Sequence, residues 1–173
     1  SNEDETWKML NTGFYHPGPA AIRYPRGSGP GVQISRDSSQ IELGKANILR
    51  NKENQDISIM SFGSCIDEAM SLGEIFDATV VDMRFVKPLD EKLILELSNS
   101  SKLIVSIEEN AIAGGAGSAI SEFLNLNNIK VSTLNIGFPD QFIDHGDVSQ
   151  QKVKYGLDTD SIVEIINKRL QAL

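Results

Sequence analysis

Cysteine and histidine are scarce in this sequence: Cys65, His16 and His145 are the only ones among 173 residues. A single cysteine rules out an intrachain disulfide, and three such residues cannot assemble a Cys/His zinc cluster. Basic residues are also in deficit, with 16 Lys and Arg against 24 Asp and Glu and a formal net charge of -8. Neutralising a nucleic-acid backbone needs clustered cations, so nonspecific nucleic-acid binding is excluded. No apolar run approaches the roughly 20 residues that cross a bilayer, which excludes a membrane-spanning helix. The acidic, Trp-containing start lacks the basic and apolar segments of a signal peptide. Internal repeats and low-complexity tracts are absent as well.

A length of 173 residues predicts one main domain. Residues 20–27 are a short β-prone run preceded by His16-Pro17-Gly18-Pro19, which predicts one strand between two loops. The stretch from Gly27 to Gln40 is rich in Gly, Ser and Asp, the composition of a linker, and places a domain boundary there. Beyond it, short apolar runs alternate with amphipathic segments, the pattern of an α/β sandwich around a largely parallel sheet. Residues 57–62, 78–83, 102–107 and 129–134 are the expected main strands. Residues 41–49 are expected to add an edge strand. Helices are expected after Gly63, with Ser64 as N-cap, and after Pro88, with Asp90 as N-cap. Two more are expected, through Ile120, Phe123 and Leu124, and over residues 161–170.

The loop from Glu108 to Ala119 carries Gly114, Gly115 and Gly117 between a strand and a helix, where free amides and the helix dipole could hold an anion. A dinucleotide fingerprint needs a third glycine where this chain has Ile120, and the strand before the loop is not the first of the sheet. The residues by themselves favour glycines that allow a tight turn and close helix–sheet packing, and a freestanding nucleotide-binding module is the competing reading. Glu108 and Glu109 are adjacent on a strand and point to opposite faces, which favours solvation or a structural ion pair over a shared catalytic pocket. Arg84 lies at the carboxyl end of a strand, the edge where open α/β sheets bind ligands, yet it also reads as part of a basic turn before a helix. Arg26 closes the run at 20–27 just before Gly27, so its side chain could face a crevice; Arg23 would point to the opposite face of that strand. Cys65, among Phe62, Ile66 and Ala69, reads as a small core residue.

Four segments, residues 21–27, 81–90, 108–119 and 136–146, together resemble the 1-deoxy-D-xylulose-5-phosphate synthase family of transketolase-like thiamine-diphosphate enzymes. Their texts are Ala-Ile-Arg-Tyr-Pro-Arg-Gly, Val-Asp-Met-Arg-Phe-Val-Lys-Pro-Leu-Asp, Glu-Glu-Asn-Ala-Ile-Ala-Gly-Gly-Ala-Gly-Ser-Ala and Ile-Gly-Phe-Pro-Asp-Gln-Phe-Ile-Asp-His-Gly. Order and spacing match as well, with the weakest stretches from Gly29 to Gln55 and in the last helix. Transketolases and 2-oxoacid dehydrogenase β subunits share the second and third segments loosely, so a fragment of another family member is an alternative.

The resemblance implies a decarboxylating condensation of pyruvate with glyceraldehyde 3-phosphate in non-mevalonate isoprenoid biosynthesis, with thiamine diphosphate and Mg2+ as cofactors. It also implies a division into a remnant of the pyrimidine-binding domain (1–29), a linker (30–40) and a transketolase-like C-terminal domain (41–173). That domain is expected to be a three-layer α/β/α sandwich, with a five-stranded, mostly parallel sheet and one antiparallel edge strand. The implied partners are the N-terminal and central domains of the same polypeptide and, in the whole enzyme, a second copy. The implied location is the cytoplasm of a bacterium or the plastid stroma of a eukaryote. The family's magnesium motif and activating glutamate fall outside this chain, so no catalytic, cofactor-binding or metal residue carries over. The chain alone is therefore expected to be inactive and to serve assembly and domain packing. One residue does carry over: Arg26 resembles the arginine that holds the substrate phosphate, a task suited to a planar guanidinium.

Overall fold

In a computed structural model, residues 1–53 and 56–173 are described; Asn54 and Gln55, at the end of the stretch of weakest resemblance, lie outside the described residues. Five strands form one sheet: β1 (Asn47–Arg50), β2 (Ile57–Phe62), β3 (Thr79–Asp82), β4 (Leu103–Ala111) and β5 (Ser132–Phe138). Their order across the sheet is β1-β3-β2-β4-β5, with β1 antiparallel to β3 and the other neighbours parallel. Helices α2 (Ile66–Ile75), α3 (Glu91–Ser100) and α4 (Ala116–Leu126) are the crossovers. With α5 (Val148–Lys154) and α6 (Thr159–Leu170), they complete the five-stranded α/β architecture that the sequence implies.

Every residue of β2 and β3 is buried, because helices cover both faces of the parallel centre. On one face Ile57, Ile59, Val80 and Val105 pack with Ala69 and Leu72 of α2 and with Ile162 and Ile166 of α6. On the other, Met60, Val81 and Ile104 pack with Leu93, Ile94 and Leu97 of α3 and with Ile120 and Leu124 of α4. Asp90 caps α3 as expected, accepting from Leu93 N–H at 3.1 Å, and its second oxygen takes Ala46 N–H at 3.1 Å, anchoring the entry to β1.

Several boundaries differ from the sequence-based expectation. The edge strand occupies Asn47–Arg50 instead of 41–49, because Gly44 turns the chain at a φ of 75° and Ile41 is buried outside the sheet. The last strand starts at Ser132, not 129, since Asn128 closes α4 in the left-handed region and Ile129 N–H still bonds to Leu124 O. Ser64 does not cap α2; Cys65 holds that position without a side-chain bond, and the Ser64 hydroxyl is used elsewhere.

The largest departure is at the start of the chain. Residues 20–27 form no strand, since a β-prone run needs a neighbour, and the sheet's two edges end in β1 and β5. Instead, Glu3–Tyr15 forms a helix, α1. Asn2 caps it by accepting from Glu5 N–H at 2.9 Å, and Glu3, Asp4 and Glu5 favour its positive end. Residues 31–41 run alongside α1 in the same direction, tied by its side chains. Glu3 accepts from Gly31 N–H at 2.8 Å and Asp4 from Ser35 N–H at 2.8 Å, while Trp7 and Asn11 donate to Asp37 O. Ile41 N–H closes the run on the Thr12 hydroxyl at 2.8 Å.

Candidate functional site

The carboxyl ends of β2 and β4 meet where the strand order reverses, the position at which open α/β sheets build sites. Here β4 bulges. Between the pairs Ile107–Ile136 and Ala111–Phe138 it advances four residues while β5 advances two. The bulge carries Glu108 and Glu109, and their carboxylates go to opposite faces as expected.

Glu108, only 2% exposed, turns toward α4 and accepts from Ala116 N–H at 2.7 Å and Gly117 N–H at 2.8 Å. An internal carboxylate thus fills the anion position that the glycine loop could have offered a phosphate. The glycines follow from this contact. Gly114 has a φ of 71°, whereas Gly115, at -76°, is needed for space: a Cβ there would lie 2.6 Å from both Glu108 oxygens and against the Ala111 carbonyl. A Cβ on Gly117 would run into the Ser106 hydroxyl.

Glu109 turns to the α2 face and accepts from the Ser64 hydroxyl at 2.5 Å and from Lys152 of α5 at 2.9 Å. Lys152 also pairs with Glu68 at 2.8 Å. Burial favours the neutral form of Glu109, but the Ser64 hydroxyl and the Lys152 ammonium outweigh it and hold the carboxyl below its ordinary 4.5. Burial likewise works against the charge on Lys152, yet Glu68 and Glu109 push its pKa above the ordinary 10.5. Burial, with Glu109 second, pushes the neighbouring Cys65 thiol up to about 12, the behaviour of an inert core cysteine. The structural ion pair expected of the glutamates is therefore real for Glu109, and Lys152, Glu68 and Ser64 are its partners. Nothing in local spacing reveals Lys152, which is 84 residues from Glu68 and sits on a helix with no buried residue.

Arg23 reaches this bulge from the other end of the chain and donates through Nη2 to the Glu109 main-chain carbonyl at 2.5 Å. Because residues 20–27 are not a strand, the alternation that set Arg23 opposite Arg26 does not apply. Arg26 is exposed, and among the described residues no hydrogen bond or ion pair engages it. Arg84 is a tether: Nε and Nη2 hold the two oxygens of Glu5 at 2.7 Å each, joining α1 to the end of β3. Its backbone lies at a φ of 57°, with its N–H on Asp82 Oδ1 at 3.1 Å. Between α1, residues 19–23 and the ends of β2 and β3 lies a cleft of about 580 Å3, lined in part by Met9, His16, Arg23, Phe62 and Asp82. No group of three or more His, Cys, Asp or Glu placed to hold a metal ion occurs among the described residues, and none of their helices is long and apolar enough to cross a membrane.

This sheet order, with an antiparallel edge strand and an internally satisfied glycine loop, defines a carboxyl-terminal domain of the transketolase type. Residues 44–162 match the family described as transketolase, C-terminal domain, and the chain belongs to that family. A split-gene transketolase, solved as an inactive β4 tetramer, superposes with a TM-score of 0.70 at 28% identity, covering 84% of this chain and 47% of that one. Transketolase from Campylobacter jejuni shares the fold, with a TM-score of 0.52 at 17% identity over 72% of this chain and 18% of that one. More particularly, 1-deoxy-D-xylulose-5-phosphate synthase of Hahella chejuensis is 49% identical over 173 residues, all of this chain and 27% of that protein. The Pseudomonas fluorescens synthase is 47% identical over the same length, again 27% of its own. The chain thus matches the C-terminal portion of these synthases and spans about a quarter of their length.

Proposed function

We propose that this chain is the C-terminal part of a 1-deoxy-D-xylulose-5-phosphate synthase, a bacterial cytoplasmic enzyme that condenses pyruvate with glyceraldehyde 3-phosphate and releases carbon dioxide. The observation that carries the reading is 49% identity along all 173 residues to a protein of that name. Residues 1–29 then close the pyrimidine-binding domain, residues 30–40 link, and residues 41–173 form the C-terminal domain, in a polypeptide that pairs with a second copy.

When bound, thiamine diphosphate with Mg2+ supplies the carbanion chemistry. The amides at the start of α4 already hold Glu108, so this reading assigns the group no ligand on the glycine loop. What the chain contributes is scaffold and one substrate contact. Arg26, exposed and without a protein partner among the described residues, is available to take the phosphate of glyceraldehyde 3-phosphate.

The test is the condensation assay on the complete polypeptide. A charge-assisted hydrogen bond contributes roughly 1.5 to 3 kcal/mol, so Arg26→Ala should raise KM for glyceraldehyde 3-phosphate about 10- to 150-fold and leave pyruvate unaffected. Arg26→Lys should recover part of the loss. No deoxyxylulose phosphate from the complete, folded polypeptide would overturn the assignment, and equal effects on both substrates would make Arg26 structural.

A further inference from the structure

The paired glutamates do more than satisfy α4 and α5. Each carboxylate clamps one side of the β4 bulge, Glu108 through Ala116 and Gly117, Glu109 through Ser64 and Lys152. A third contact supports it from β5, where Gly137 comes so close that a Cβ would lie 2.7 Å from the Asn110 carbonyl. The bulge takes residues 108–110 out of the ladder with β5, so the Glu109 carbonyl has no paired strand residue there. The clamped bulge thus leaves that carbonyl outside the β4–β5 register, and it accepts from Arg23 at 2.5 Å. Within this chain residues 19–25 are neither helix nor strand, and among the described residues the bond from Arg23 is the side-chain hydrogen bond that ties this stretch to the C-terminal domain. Arg26 follows Arg23 by three positions, and Pro25 between them has a fixed φ, so the backbone held at Arg23 hands its placement on with little slack.

We propose that Arg23 is a positioning residue: its bond to the clamped Glu109 carbonyl sets the Tyr24-Pro25-Arg26 turn, through which the C-terminal domain places Arg26 for the substrate phosphate. The inference rests on the reading of Arg26 as the phosphate ligand. It assigns Lys152, Glu109 and Ser64 a role at one remove, keeping the acceptor still.

The experiment compares glyceraldehyde 3-phosphate with unphosphorylated D-glyceraldehyde as acceptor in the complete enzyme. Arg23→Met keeps the apolar stem and removes the donors; it should raise KM for the phosphorylated acceptor about 5- to 30-fold and change neither KM for pyruvate nor turnover of D-glyceraldehyde. Arg23→Lys should restore part of the loss. Lys152→Met, acting through Glu109, should give a smaller loss with the same selectivity. A general loss of stability would lower both acceptors together, and such an unselective loss in Arg23→Met overturns the proposal. In an Arg26→Ala background, Arg23→Met should add nothing; an additive loss means that Arg23 acts independently and also overturns it. If Arg26→Ala itself shows no phosphate selectivity, the reading of Arg26 fails. If it does and Arg23→Met does not, only the positioning fails. Should Arg23→Met not fold, Arg23→Lys is read alone, and wild-type KM for the phosphorylated acceptor in that variant overturns the proposal.

Discussion

Glu108 and Gly115 are tied by a single constraint, a buried carboxylate seated on a helix start with no room for a methyl group beside it. Gly115→Val must displace Glu108 or the Ala111 carbonyl, so both overpacking and two lost charge-assisted bonds count against it. We expect a destabilisation of about 2 to 4 kcal/mol, which is a drop of roughly 4 to 16 °C in Tm for a domain of this size. An unchanged melting curve would show that the loop can shift freely. The Glu109–Lys152 pair gives stability a pH dependence whose sign follows from the two shifts. Glu109 is depressed below 4.5 in the folded state, so its contribution is full above that value and is lost as pH falls through the folded pKa. Lys152 is raised above 10.5, so its contribution is full below that value and is lost as pH rises through the folded pKa. Chemical denaturation across pH should therefore show this network flat between 4.5 and 10.5, and Lys152→Met should flatten the acid limb below 4.5. An acid limb identical to that of the wild type would dissociate Glu109 from Lys152.

At the scale of elements, α1 stands apart because side-chain hydrogen bonds hold it more than burial does. Thr12 is its only buried residue, whereas Glu3, Asp4, Glu5, Trp7 and Asn11 all make polar ties. Polar ties at an exposed surface contribute little each, so α1 should open at lower free energy than β2 or β4. Removing the Arg84 clamp by Arg84→Ala should speed amide exchange in α1 and leave β2 protected. Trp7, the sole tryptophan, should report the same loosening as a fluorescence shift. Equal acceleration in both elements would mean that Arg84 supports the sheet itself. Asp90 serves two elements at once, and Asp90→Ala removes an N-cap of about 1 kcal/mol along with the bond to Ala46 N–H. A loss of about 1 to 2 kcal/mol in denaturant titration is expected. Of these elements, α3 and its cap were legible from Asp90 and the apolar spacing behind it. Helix α1 was not: its anchors are polar groups of residues 31–41 and Arg84, distant in the chain, while the apolar spacing of Trp7, Leu10 and Phe14 stays exposed.

At the scale of the molecule, both hydrophobic clusters close around the sheet without help from α1, so the 173-residue chain should fold alone yet take up no thiamine diphosphate. Calorimetric titration with the cofactor and Mg2+ should show no binding heat, and micromolar affinity would overturn that expectation. The sheet was legible because strands covered on both faces must be continuously apolar, and the runs at 57–62, 78–83 and 102–107 could be read as little else. Family membership was legible because four segments carry distinctive residues in fixed order. Sequence alone thus determined the α/β class, the parallel centre and the opposite facing of Glu108 and Glu109, since each follows from hydrophobic periodicity or strand alternation, while the antiparallel edge came only from the family resemblance. Only tertiary structure decided that Arg23 meets Glu109 across 86 residues, that Lys152 joins Glu68 to Glu109, and that Glu108 takes the place of a bound anion. Those are contacts between charged groups distant in the chain, and their partners are chosen by where the β4 bulge places the backbone, a geometry that no local pattern encodes.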